Sequence, residues 1–143
     1  MIDEGIKVTK AVRDRFNGKA RNPFNEFECG SNYARSMASY ALIPILSGFT
    51  FDLPRGYLGF APKLDGDFRC VWSVDGAWGE FELTEGKATL TVVEGELTLS
   101  SFGVASREVK SVKLDGKTVD FSFEHGRIAF EKTVVSDSIE IDL

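Results

Sequence analysis

Apolar and polar positions follow two different periods along this chain, and the change falls near Phe68. Beyond it the period is two. Ala88, Leu90 and Val92 alternate with Thr89 and Thr91, and Val119, Phe121 and Phe123 alternate with Asp120, Ser122 and Glu124. Ile128/Phe130 and Ile139/Ile141/Leu143 repeat the pattern. One apolar face per run predicts half-buried strands. Asp75-Gly76, Glu85-Gly86, Glu94-Gly95, Asp115-Gly116 and His125-Gly126 punctuate the runs and predict short turns. The expected fold class is mainly β: an antiparallel β-sandwich or partial barrel, two sheets sharing a core, with sequential strands pairing mostly as a meander. Val119, Phe121, Phe123, Ile128, Phe130, Ile139 and Ile141 are expected to be buried.

The first half reads differently. Residues 6–16 read as extended or irregular, with a helix as the competing reading because Val8, Val12 and Phe16 are spaced by four. Residues 17–30 read as loop, with Asn17-Gly18 as a turn and Pro23 against regular helix. Residues 31–47 predict a helix: Gly30-Ser31-Asn32 offers capping groups and Ser47-Gly48 a stop. Pro44 is expected to kink or end it near Tyr40 to Ile43. From Met37 to Leu46 the segment is apolar nearly all round, as in a helix enclosed by others.

Composition narrows the classes. The chain has 143 residues, one domain's worth. Its apolar content is 43%, with 12 Phe, enough to build a core rather than a disordered chain. The net charge of −5 argues against nucleic acid or an anionic membrane as partner. No apolar run approaches the roughly 20 residues of a membrane span. Met1-Ile2-Asp3-Glu4-Gly5 has neither a basic n-region nor an apolar h-region, so a cytoplasmic location is expected. Cys29 and Cys70 are expected to be free thiols. The single histidine, His125, reads as a turn residue, which leaves little for His-based catalysis or a His-rich metal site. No cofactor or metal is expected.

One segment departs from this plain picture. Arg21 to Tyr40 holds two carboxylates, two guanidiniums, three side-chain amides and four aromatic rings in twenty positions. Such a mixture suits a sugar: planar donors and acceptors for paired hydroxyls, and rings for the apolar face of a pyranose.

The run Arg21-Asn22-Pro23-Phe24-Asn25-Glu26-Phe27-Glu28-Cys29-Gly30, continued by Tyr33-Ala34-Arg35-Ser36-Met37-Ala38-Ser39-Tyr40, resembles the C-terminal end of the catalytic domain in glycoside hydrolase family 116. This is the bile-acid or non-lysosomal β-glucosidase/glucosylceramidase type. Val8 to Gly18 resembles that family's approach to the motif, and Leu46 to Pro62 its exit. The resemblance covers residues 6–62 and is weak over 63–143. It implies that 1–62 derive from the end of an α/α barrel, supplying the one helix, with a β-rich domain over 63–143 packed on it as a single compact unit. It also implies that Glu26 and Arg35 contact the bound glucose. A carboxylate can accept from two adjacent hydroxyls and a guanidinium can donate to a third. The competing reading of Glu26 and Arg35 is an intramolecular pair tying the loop to the helix start.

A retaining β-glycosidase needs two carboxyl groups roughly 5 Å apart. In the family both come from upstream parts of the barrel. The resemblance therefore implies a C-terminal fragment, either an excised piece or a shortened gene product, that does not hydrolyse a glycoside unaided. Asp14, Glu28 and Asp52 have no spacing that supports a catalytic pair. Arg21 and Glu28 read as a solvated or loop-bracing pair, and Asn22 and Asn25 as braces of the turn around Pro23.

Two further features carry alternatives. Phe60, Trp72, Trp78 and Phe81 suit either a sugar platform or a core face. Asp65, Asp67, Asp75, Glu80, Glu82 and Glu85 suit either calcium or a solvated edge, and they lack the D-x-D-x-D-G spacing. The function expected is completion or stabilisation of a glycoside hydrolase. A free-standing carbohydrate-binding module and a structural or assembly domain are the alternatives. The expected partners are a second copy, through the Met37–Leu46 helix, and a separately encoded catalytic subunit. A β-glucoside is expected to bind weakly if at all. Folding of residues 1–20 back over that helix would instead leave a monomer.

Overall fold

The computed structural model describes residues 1–15, 40–106 and 108–143. The chain divides into two compact units, Met1–Leu42 and Ile43–Leu143.

In the first unit, helix α1 spans Ile2–Arg15. The competing helical reading of this segment holds, and the extended one does not. Asp3 and Glu4 lie in the first turn and Arg13 and Arg15 in the last, matching the helix dipole. Lys10 pairs with Asp14 one turn on at 2.6 Å. Residues 16–39 lie outside the described residues, and with them the expected loop and most of the expected 31–47 helix.

Tyr40 is helical, Ala41 is a turn residue, and α2 spans Leu42–Ser47. The interruption falls inside the window expected from Pro44, which sits in the first turn of α2 where its missing N–H is tolerated. Gly48 ends α2 with φ 59°. It is the stop expected from Ser47-Gly48, and a Cβ there would lie 2.2 Å from the Ala61 carbonyl oxygen. The amides of Ala61 and Lys63 donate to the carbonyls of Ser47 and Leu46 at 3.0 and 2.8 Å.

The second unit is a sandwich. Its strands are β1 (Thr50–Asp52), β2 (Tyr57–Phe60), β3 (Phe68–Val74), β4 (Ala77–Thr84), β5 (Lys87–Gly95) and β6 (Leu97–Val104). They continue as β7 (Ser111–Leu114), β8 (Lys117–Thr118), β9 (Phe121–Glu124), β10 (Arg127–Val135) and β11 (Ser138–Asp142). A 3-10 turn, Leu53–Arg55, joins β1 to β2. One sheet runs β1-β2-β6-β10-β9 and the other β3-β4-β5-β11-β7-β8. Neither closes into a barrel. The pairing is antiparallel except between β2 and β6, which run parallel. The segment 43–62, assigned from sequence to the barrel-derived part, thus builds into the β unit.

The meander expectation holds for β3-β4-β5 and for the hairpins β7-β8 and β9-β10. It fails where β11 inserts between β5 and β7, and where β6 leaves for the other sheet. Glu94-Gly95 is not a hairpin turn. It lies at the end of β5, where the chain crosses between sheets, and Gly95 (φ 87°) pairs with Ala77. Asp115-Gly116 and His125-Gly126 are two-residue turns with positive φ at both positions, the geometry that matches strand twist.

The core lies between the sheets: Leu58, Phe60, Leu97, Leu99, Phe102 and Ile128 from one side meet Trp72, Phe81, Leu90, Val112, Ile139 and Ile141 from the other. Ile128, Ile139 and Ile141 are buried as expected. Val119, Phe121, Phe123 and Phe130 are only half-buried. The run 117–124 splits between sheets, β8 to one and β9 to the other, and β9 is an edge strand with a neighbour on one side only. No helix among the described residues is long and apolar enough to cross a membrane.

Candidate functional site

Glu26 and Arg35, the residues expected to contact sugar, lie outside the described residues, as do Arg21, Asn22, Asn25, Glu28 and Cys29. Two other nominated carboxylates have local structural partners. Asp14 is paired with Lys10. Asp52 caps the 3-10 turn: its side chain accepts from the Arg55 backbone amide at 3.3 Å and from the Arg55 guanidinium at 2.8 Å.

The four aromatics do not form one platform. Phe60, Trp72 and Phe81 are core residues, whereas Trp78 is exposed. Trp72 pairs with Gly79 and Ser73 with Trp78, so the two indoles point to opposite faces of β3-β4. The Trp72 indole N–H is buried without a hydrogen-bond partner among the described residues. The acidic set is spread along the same sheet: Asp65, Asp67 and Glu85 lie at one end of β3-β4, Asp75 in the turn at the other, and Glu80 and Glu82 within β4. Arg69 pairs with Glu80 across β3-β4, and no group of three His, Cys, Asp or Glu among the described residues is arranged to hold a metal ion.

Cys70 is a half-buried free thiol on β3. Burial pushes its pKa up to about 11, and a hydrogen bond with Ser47 acts the other way. Ser47 is itself fully buried, with its hydroxyl accepting from the Phe49 amide at 3.2 Å. This thiol is a packed structural group, not an activated nucleophile.

A concave feature among the described residues of the β unit lies at the β9–β10 turn. A cleft of about 720 Å³ is lined by Thr50, Tyr57, Phe60, Gly103, Phe123 and His125, among others. Through His125 it adjoins a smaller one of about 350 Å³, lined by Ser122, Glu124, His125, Arg127 and Ala129. Tyr57, Gly59, Gly103 and Arg127 occupy the outward positions of β2, β6 and β10, because their neighbours Leu58, Phe102 and Ile128 are buried inward. Gly59 and Gly103 are register partners, and a Cβ on either would come within 2.6 and 2.5 Å of the Tyr57 hydroxyl. Their bareness lets the phenol ring lie along the sheet. The Tyr57 and Thr50 hydroxyls are 3.2 Å apart, and the Arg127 guanidinium lies 4.2 Å from the Tyr57 ring centroid.

None of these cleft residues stands out in the sequence as a motif. The available signals are the glycines inside strands at Gly59 and Gly103 and the His125-Gly126 turn. The residues come from β1, β2, β6, β9 and β10, so their meeting depends on the crossovers. No protein-family model matches the chain, and no curated protein matches it.

Proposed function

We propose that this chain is the C-terminal part of a family 116-like β-glucosidase or glucosylceramidase. In this reading Glu26 and Arg35 serve a sugar subsite, and the β-sandwich completes or stabilises the catalytic domain. The observation that carries the reading is the polar and aromatic run from Arg21 to Tyr40, continuous with its flanks over 6–62. Supporting it, the end of α2 is hydrogen-bonded to the strand-end segment Ala61–Lys63, so the sandwich braces the C-terminal end of that helical segment. The catalytic carboxylate pair belongs to upstream parts of such an enzyme. Asp14 and Asp52 are engaged in local pairs and do not replace it.

The chain alone does not turn over substrate in this reading. A nitrophenyl β-glucoside assay at high protein concentration checks that, and turnover that survives repurification and disappears in Glu26→Gln contradicts it. The positive test is expression of the chain together with the polypeptide encoded immediately upstream. Hydrolysis that needs both, and that falls about tenfold or more in Glu26→Gln through loss of a charge-assisted hydrogen bond, supports the reading. Hydrolysis indifferent to Glu26 and Arg35, or none at all, rejects it. The same reading gives the chain a second copy or a catalytic subunit as its partner at α2, where Ile43 and Ile45 are exposed.

A further inference from the structure

The smaller cleft on the outer face of the five-stranded sheet holds opposite charges that do not neutralise each other. Arg127 and Glu124 are register partners across the His125-Gly126 turn, so their side chains leave the same face. No ion pair joins them. Among the described residues the Arg127 side chain stacks on Tyr57, and none of them pairs with the Glu124 carboxylate. Below them Ser122 faces Ala129, two small residues that leave a floor between the taller side chains.

The stack fixes the guanidinium from beneath. Gly59 and Gly103 let Tyr57 lie flat, the Thr50 hydroxyl meets its phenol oxygen, and Arg127 rests on the ring. A guanidinium held this way presents planar donors with little rotamer freedom left to lose. Glu124 supplies acceptors only, and Ser122 supplies a hydroxyl that can do either.

We propose that this cleft binds a neutral saccharide, with Arg127 donating to its hydroxyls, Glu124 accepting from an adjacent pair, and the His125 ring covering an apolar face. The charges select the class. An anion meets Glu124 and a cation meets Arg127, whereas an uncharged polyhydroxylated ligand uses both. The size is suitable: small-ligand pockets span roughly 300–1,000 Å³, and the cleft of about 350 Å³ opens through His125 into the larger one. The proposal uses neither Glu26 nor Arg35 and does not rest on the family reading.

The test is saturation-transfer NMR on the full chain with cellobiose and with glucose at millimolar concentration, followed by titration. Transfer is expected from cellobiose. It should weaken about tenfold or more in Glu124→Gln and in Arg127→Met, each of which removes a charge-assisted contact. Both positions are exposed, and an unchanged circular dichroism melt confirms that the fold is kept. Glu26→Gln should bind as the unmodified chain does. The absence of transfer overturns the proposal, as does transfer indifferent to Glu124 and Arg127. Transfer lost in Glu26→Gln alone belongs to the other site and also overturns it. Preference for glucuronate over cellobiose marks an anion site and rejects the neutral class.

Discussion

The ring of Phe60 lies face to face with that of Phe81, centroids 4.0 Å apart and planes 2° from parallel. Phe60 belongs to β2 and Phe81 to β4, so this contact spans the two sheets. Phe49 extends the stack at 4.9 Å from Phe60, and Phe102 approaches both rings from β6. Phe81 is fully buried. Phe81→Ala should therefore cost about 3–5 kcal/mol, from lost transfer energy and the cavity left behind. Val71→Ala, on the exposed face of the neighbouring strand, should cost less than about 1 kcal/mol. Urea unfolding of both variants checks the contrast, and equal losses would show that the sheets are not joined here.

Asp115 ties two turns together. Its carboxylate accepts from the backbone amides of Asp137 at 2.9 Å, Ser138 at 3.0 Å and Ser136 at 3.1 Å, and from the Ser136 hydroxyl at 3.3 Å. Burial alone pulls its pKa up, but these hydrogen bonds together outweigh it and hold the group below the ordinary carboxylate value. A depressed folded-state pKa contributes stability above the unfolded value, near 4. That stability is lost as pH falls through the lower folded value. Asp115→Asn tolerates the left-handed backbone at this position (φ 48°). It should lose about 1–2 kcal/mol at neutral pH and much less near pH 2. Denaturant titrations at the two pH values decide it. A loss independent of pH would assign the effect to the turn and not to the charge.

The thiol of Cys70 offers a third check. With its pKa at about 11 it is almost wholly protonated at pH 8. In a Cys29→Ser background, labelling by a disulfide reagent should be slow in the folded chain and rise about tenfold per pH unit toward that value. Ser47→Ala removes the hydrogen bond that favours the thiolate and should slow labelling further. Fast labelling at pH 7, lost on unfolding, would mean an activated thiol instead.

How far the fold is legible in the sequence depends on the range over which each feature is decided. The alternation in 87–95 and 138–142 is local, and it marks β5 and β11 directly because each strand has one buried face. His125-Gly126 and Asp115-Gly116 are legible for the same reason, since the turn chemistry sits in the two residues. Glu94-Gly95 has the same Xaa-Gly form and a different outcome: Glu94 does not take positive φ, and the positive φ of Gly95 serves a crossover beside Gly76 and Ala77. Trp78 does not share the core face with Phe81, because successive residues of a strand alternate faces and three positions separate the two. Partner choice between distant strands, the parallel β2–β6 pair above all, leaves no local mark. The stack of Tyr57 and Arg127 inherits that: each residue is ordinary alone, and only the β2–β6–β10 order brings them together.

Self-association is the last expectation. Ile43 and Ile45 of α2 are 42% and 55% exposed, and Tyr40 just before them 68%. Each large apolar side chain left in water forgoes roughly 1.5–3 kcal/mol relative to burial. In a complete enzyme of the proposed kind, neighbouring helices would cover this surface. For the chain alone a second copy is the simplest cover, in a two-fold arrangement where each α2 meets its counterpart. Sedimentation of the full chain at micromolar concentration should then report a dimer. Ile43→Glu and Ile45→Glu place a carboxylate in that contact, facing its own copy across the two-fold axis. Both should give monomers with an unchanged melting temperature, since neither position belongs to the buried core of the sandwich. A monomer in the unmodified chain rejects the dimer. A dimer that survives both substitutions would move the contact to another surface, and the exposed Val71, Trp78 and Val93 would then be the next positions to substitute.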